Sequence, residues 1–192
     1  MSPSPHRRPI IATLAAGLVG LVTGVGTVAC SVRPVASPPV EQGGPPAQAP
    51  PVDGPPGPPP APQPVADGPC SYLSAAAVQA ANGERVAKVR VSGTSPHPAC
   101  FFYAGNGTVQ LRTWIVVATP GVAGATVDAA APVASSDRVE LSGGWSGGSQ
   151  PTADGAVFAV ARQGTAVVIT TNQRQTISAR QIAEQVIAAL RL

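Results

Sequence analysis

Residues 156–171 read AVFAVARQGTAVVITT, which is two apolar runs separated by Gln163-Gly164. A short polar step containing glycine between β-branched runs is typical of a β-hairpin. The chain after it changes to helical spacing, and Ser178 with Gln181 has the pattern of a capping box. One stripe of this helix contains Ile182, Ala183, Val186, Ile187 and Leu190. We therefore expect a strand pair followed by an amphipathic C-terminal helix that packs on it.

A second hairpin is expected upstream of the first. Residues 100–103 and 108–118 flank the sequence Gly-Asn-Gly at residues 105–107, and Asn-Gly between apolar runs is a strong turn signal. Residues 86–91 alternate apolar and basic side chains, as a half-buried strand does. In the strand predicted at residues 108–118, apolar residues and Thr113 form one face. The opposite face is expected to carry Gln110, Arg112 and Trp114.

Two further helices are expected. Ser74 is placed to cap a short helix that Gly83 ends. Thr119-Pro120 has the pattern of a helix start, and Pro132 must stop that helix. Helices around antiparallel strands predict the α+β class. The expected architecture is an antiparallel sheet of about five to six strands, with a short N-terminal helix and the amphipathic C-terminal helix packed on it.

Composition divides the chain into an N-terminal part without aromatic residues and a part that can fold. All 7 aromatic residues lie between Tyr72 and Phe158, and 15 of the 23 prolines lie between Pro34 and Pro69. A segment without aromatic residues cannot build much core, and dense proline favours extended polyproline II conformations. We therefore expect a tether over residues 30–68 and one globular domain over residues 69–192.

The first 29 residues have the pattern of an export signal. Residues 6–8 are His-Arg-Arg, and residues 10–29 carry no charge. The sequence Thr27-Val28-Ala29-Cys30 resembles the lipobox of bacterial lipoproteins, although that family usually has Leu where Thr27 stands. The resemblance implies that Cys30 carries a diacylglyceryl group after cleavage and anchors the protein to the outer face of the cell membrane. An uncleaved membrane anchor and plain secretion remain alternatives.

With Cys30 assigned to lipid, Cys70 and Cys100 remain. An even pair of cysteines outside the membrane is expected to form a disulfide, because that environment is oxidising. Metal binding is the alternative, and it lacks partners: His97 is the one other soft ligand outside the signal segment. We expect no metal site and no cofactor.

From Cys70 onward the chain resembles the "domain of unknown function 2020" family of actinobacterial envelope proteins. The segments that carry the resemblance are Cys70-Ser71-Tyr72-Leu73, Ala99-Cys100-Phe101-Phe102, Ala131-Pro132-Val133, Gly144-Trp145-Ser146-Gly147-Gly148 and residues 167–190 with Thr170-Thr171-Asn172-Gln173. The family more often has Pro where Ser71 stands. The resemblance implies an exported lipoprotein of bacteria with complex, mycolate-type envelopes, and it implies no reaction.

The sequence around Ser146 and Trp145 offers two candidate sites. Residues 144–148 match G-x-S-x-G, so Ser146 is a candidate hydrolase nucleophile, but no histidine follows it and His97 precedes it. Trp145, between glycines, is a candidate ligand contact with Arg112 or Arg138 beside it; the alternative is a lid that folds onto the sheet. Of these two interpretations of Trp145, we favour the lid.

Asn172 and Gln173 form the third candidate site, because they stand in a polar run between the last strand and the last helix. They are candidates for contact with a ligand or partner, while satisfying strand-end and helix-start groups is the favoured alternative.

The charge pattern narrows the function classes. The folded part has nine scattered Lys/Arg against six Asp/Glu and no basic run, which argues against nucleic-acid binding. We expect a lipid-anchored cell-envelope protein with a non-enzymatic binding or accessory domain that recognises an envelope component or a protein partner. The alternatives are an envelope serine hydrolase using Ser146 and a carrier of apolar lipid.

Overall fold

The computed structural model describes residues 57–192, which form eight β-strands and three α-helices. The strands are β1 (Ala66–Asp67), β2 (Lys88–Val91), β3 (Cys100–Tyr103), β4 (Val109–Val117), β5 (Asp137–Leu141), β6 (Trp145–Thr152), β7 (Gly155–Arg162) and β8 (Thr165–Thr171). The helices are α1 (Ala75–Asn82), α2 (Pro120–Ala130) and α3 (Thr176–Leu190). The α+β class is confirmed, but about five to six strands was an underestimate.

All eight strands lie in one antiparallel sheet with the order β1-β2-β3-β4-β8-β7-β6-β5. Both predicted hairpins are present: β3 pairs with β4, and β7 pairs with β8. Because β4 and β8 are also neighbours, the two hairpins lie side by side at the centre of the sheet.

The starts of the first two helices agree with the sequence prediction. The Ser74 side chain accepts a hydrogen bond from the backbone N–H of Ala77 at 3.1 Å, and Gly83 ends α1 in the left-handed conformation with φ 70°. Thr119 caps α2 in the same way, with Pro120 in its first turn.

The predicted capping box of the last helix is wrong. The helix α3 begins at Thr176, so Ser178 lies inside its first turn, and the N-cap residue Gln175 makes no side-chain capping hydrogen bond. The Ser178 hydroxyl instead donates to the carbonyl oxygen of Ala81 at 2.7 Å. This hydroxyl therefore satisfies a carbonyl in the last turn of α1, where intrahelical partners are missing.

Sequence patterns missed β5 and β6, and β6 shows why. It reads WSGGSQPT, and glycine with proline favours a loop. In the structure Pro151 lies beyond the last residue pair that joins β5 to β6, which is Asp137 with Ser149. Proline has no backbone N–H, and this is tolerated at Pro151 because β5 does not pair with β6 at that position.

The folded region begins before residue 69. Ala66 and Asp67 of β1 pair with Val91 and Arg90 of β2, and Pro62 is buried. Asp67 also forms ion pairs with Lys88 and Arg90, at 3.0 Å each, and the hydrogen bond from Lys88 is the main cause that lowers the pKa of Asp67. The predictions for residues 1–56, including the lipidation of Cys30, lie outside the described residues.

The sheet has two faces that are covered differently. Helices α1 and α3 cover what we call the front face, where large side chains form the main core: Phe102, Leu111, Phe158, Ile169, Ile182 and Val186. Of the helices in residues 57–192, only α2 lies on the back face, where it contacts β4, β6, β7 and β8 through a smaller core. No helix of these residues lies on the back face over β1, β2 and β3.

The disulfide between Cys70 and Cys100 is present, with Cα atoms 5.7 Å apart. Cys100 is fully buried in β3, so the bridge fixes the segment before α1 to the sheet. Closing a loop of this length stabilises the fold by roughly 3 to 4 kcal/mol in the chain-entropy description.

Candidate ligand-binding cleft

A cleft of about 360 Å³ lies between α2 and the back face of the sheet. Its floor comes from the central strands and includes Trp114, Val157 and Val168, while Ala129 and Ala130 of α2 form one wall. The segment before β1 contributes Pro58, Pro59 and Ala61. The polar side chains of the lining are Arg112, Thr126, Thr152 and Thr170. The cleft is thus mainly apolar with a few polar groups, as ligand sites usually are.

The strand register explains how these side chains come together. Arg112 of β4 pairs with Thr170 of β8, which pairs with Val157 of β7, and Phe101 of β3 lies on the other side of Arg112. Residues paired directly across an antiparallel sheet point to the same face. Phe101, Arg112, Thr170 and Val157 therefore form one row across the back face.

Arg112 is the cationic side chain of this row. Its Nη2 donates to Thr170 Oγ1 at 3.2 Å, while its buried Nε has no hydrogen-bond partner within residues 57–192. Burial lowers the pKa of Arg112, because removing the guanidinium from water disfavours its charged form. A guanidinium remains protonated at neutral pH even so, so the cleft carries a positive charge.

A second cleft of about 320 Å³ adjoins the first, and the two share Arg112, Thr152 and Thr170. The rest of its lining consists of Phe101, Val109, Asp154, Thr171 and Asn172. Arg112 and Thr170 thus stand between an apolar cleft under α2 and a more polar cleft at the end of the strands.

Asn172 and Gln173, which sequence offered as contact residues, take part in a network that ties α1 to the loop before α3. Asn172 Nδ2 donates to Glu84 Oε2 at 2.9 Å, and Gln173 Nε2 donates to Asn172 Oδ1 at 3.3 Å. The neighbouring Thr171 hydroxyl donates to Asn82 Oδ1 at 3.1 Å. These bonds fit the favoured structural role, while Asn172 also lines the second cleft.

Trp145 belongs to the front core and is 2% exposed. The guanidinium carbon of Arg162 lies 5.0 Å from its ring centroid, which is cation–π geometry. The arginine over the ring is thus Arg162, and not Arg112 or Arg138 as the sequence suggested. Arg112 lies on the back face of the sheet. The ring therefore packs within the front core, and almost none of its surface is exposed.

Ser146 is not on a strand-to-helix elbow, which the G-x-S-x-G motif of hydrolases requires. It lies within β6, paired with Glu140 of β5 and Ala161 of β7. His97 precedes β3, four strand positions from β6, and neighbouring strands are about 4.8 Å apart, so the two side chains are roughly 19 Å apart. Ser146 and His97 therefore form no catalytic pair.

Among residues 57–192, no three His, Cys, Asp or Glu residues are grouped as metal ligands, and no helix there has the length and apolarity to cross a membrane.

The cleft itself was missed by sequence reasoning, although one signal pointed to it. Arg112 and Trp114 were expected to share one face of their strand with Gln110. In the structure both are partly buried. A tryptophan two residues from an arginine, on the same face of a largely apolar strand, was the available sign that this face is also covered.

The fold defines a class: an α+β domain with one antiparallel sheet, which two helices cover on one face and which has a cleft under α2 on the other. Residues 51–192 match the family described as a domain of unknown function, DUF2020, and the chain belongs to that family. No curated protein matches the chain.

Proposed function

We propose that this protein is a lipid-anchored component of the cell envelope, and that its domain binds an apolar or amphiphilic ligand without transforming it. The observation that carries the proposal is the cleft of about 360 Å³ under α2, which lies within the range of about 300 to 1,000 Å³ typical of ligand sites. Its lining of Trp114, Val157 and Val168 favours an apolar group.

The position of Ser146 supports binding over hydrolysis. A serine nucleophile needs a base within hydrogen-bond reach, and the one histidine of residues 57–192 lies several strands away. The lipid-carrier hypothesis is a form of the binding hypothesis, and the apolar floor of the cleft favours it over recognition of a purely polar ligand.

A cleft-filling variant tests the binding site. Ala129 lies on α2 with an exposed side chain that lines the cleft, so Ala129→Phe fills the cleft without entering the core. We expect the uncharged dye Nile red to bind the protein with enhanced fluorescence, and Ala129→Phe to weaken that binding at least roughly tenfold. The matched control is Ala189→Phe, at an exposed position of α3 on the other face. Equal binding by all three proteins would contradict the proposal.

The envelope location rests on the lipobox resemblance and has its own test. Mass spectrometry of the mature protein is expected to find an N-terminal Cys30 carrying acyl chains. A Cys30→Ser form is expected to be released from the membrane or left unprocessed, because two acyl chains are what make membrane binding stable. A Cys30→Ser form that is cleaved and retained like the wild type would argue against the anchor.

A further inference from the structure

Arg112 is a partly buried cation whose buried Nε has no hydrogen-bond partner among residues 57–192. Four exposed or partly exposed cations have a carboxylate at 3.0 Å: Lys88, Arg90, Arg138 and Arg180. Arg112 makes no ion pair with any carboxylate in that part of the chain. This includes Asp154, although Asp154 lines the second cleft together with Arg112. A charge withdrawn from water without a partner destabilises the fold.

The groups around Arg112 can supply hydrogen bonds to a ligand. One terminal nitrogen of the guanidinium donates to Thr170 Oγ1, which leaves the other terminal N–H groups free for a ligand. Since Thr170 Oγ1 accepts that bond, its own O–H remains able to donate. Thr152 lines both clefts with Arg112 and adds a second hydroxyl. This set of donors suits an oxyanion, which accepts several hydrogen bonds at once.

We infer that the ligand of this cleft is an amphiphile with a carboxylate or phosphate group, and that Arg112 binds this group while the apolar chain lies along Trp114 and Val168 under α2. The inference rests on the proposed binding function and names its ligand class. Binding of the anion places a partner beside the buried guanidinium, so the free energy of burying that charge is recovered when the ligand is present.

Three ligands that share one alkyl chain test the inference: dodecanoate, dodecyl phosphate and the uncharged dodecanol. The two anions are titrated below their critical micelle concentrations, and dodecanol below its solubility limit. Trp114 lines the cleft and reports binding by fluorescence, while Trp145 is buried elsewhere. We expect at least one anion to bind roughly tenfold to a hundredfold tighter than dodecanol, because charge-assisted hydrogen bonds contribute on this scale. The tighter of the two anions identifies a carboxylate or a phosphate as the natural group.

Two arginine variants complete the experiment. Arg112→Gln is expected to abolish the preference for anions while dodecanol binds as before. Arg180→Gln removes the same charge from an exposed position on α3 and is expected to retain the preference. Equal affinity of the wild type for all three ligands would overturn the inference while leaving the binding function intact. Because this comparison uses the wild type alone, it does not depend on whether a variant folds. If neither dodecanol nor either anion binds, the inference and the proposed binding function are both overturned.

Discussion

At the scale of single residues, Tyr72 links the segment before α1 to the sheet. Its hydroxyl donates to the carbonyl oxygen of Pro98 at 2.8 Å and lies 2.7 Å from Thr113 Oγ1. Burial raises the pKa of Tyr72 from 10.0 to about 12, against a smaller lowering by the Thr113 hydrogen bond. The folded protein therefore holds the proton of Tyr72 more tightly than the unfolded chain does.

The raised pKa of Tyr72 predicts a loss of stability in strong alkali. Its contribution is fully present below about pH 10 and is lost as the pH rises to about 12. Two pKa units correspond to about 3 kcal/mol. Urea unfolding at a series of pH values is expected to show this decrease in the wild type and a smaller one in Tyr72→Phe, which cannot ionise. Parallel pH profiles for the two proteins would contradict it.

Gly147, which lies between Ser146 and the second glycine of the G-x-S-x-G pattern, is required by packing. A Cβ at this position would overlap the carbonyl oxygen of Ala159 and would lie 2.8 Å from the Cα of Val160. Both contacts are with the backbone of β7, which cannot move as a side chain can. Glycine is therefore required here for the close approach of two strands.

Substitution of Gly147 is predicted to be severe. Gly147→Ala is expected to lower the free energy of unfolding by about 3 kcal/mol, because the backbone of β7 must shift. The same substitution at Gly124 in α2, where nothing lies within 4 Å, is expected to raise it by up to about 1 kcal/mol. Denaturant unfolding measures the free energy of unfolding of the two variants. Similar changes at Gly147 and Gly124 would contradict the conclusion that packing against β7 requires glycine at residue 147.

At the scale of elements, the sequence predicted the strands that have a clear turn signal. The turns at residues 105–107 and 163–164 are short and polar between apolar runs, so both central hairpins were recognised. Strand β6 was not, since Gly147, Gly148 and Pro151 are characteristic of loops in sequence. Its pairing is imposed by the neighbouring strands β5 and β7 and not by local preference.

Strand β1 could not be predicted for a related reason. It is two residues long and lies in proline-rich sequence, where backbone hydrogen bonding is not expected. Val65 N–H and Gly68 N–H nevertheless donate to Val91 and Val89 of β2, at 2.9 and 3.2 Å. This pairing holds the preceding residues 57–65 at the domain, where three of them line the cleft.

The segment before β1 is therefore predicted to matter for both stability and binding. A chain that begins at residue 57 is expected to bind Nile red as the full chain does. A chain that begins at residue 69 lacks β1 and one wall of the cleft, and we expect its free energy of unfolding to fall by about 2 kcal/mol. Its dye affinity is also expected to fall. If the two truncated chains have equal stability and affinity, residues 57–68 are a tether only.

At the scale of the whole molecule, the two faces of the sheet have different roles. The front face is sealed by α1 and α3 and contains the larger core, including Trp145. Among the described helices, only α2 lies on the back face, which leaves room for the two clefts beside Arg112. The sequence predicted the front face through the stripe of α3. It could not predict the clefts, which depend on where α2 and residues 57–61 lie over a sheet formed by distant segments.

The central claim is that an amphiphile occupies the cleft under α2. The most direct measurement is mass spectrometry of the organic extract of the protein after purification from the cells that naturally make it. The account predicts a carboxylate- or phosphate-bearing amphiphile in extracts of the wild type and of Ala189→Phe, and its depletion from Ala129→Phe. Extracts of the same composition from the wild type and Ala129→Phe would contradict the claim.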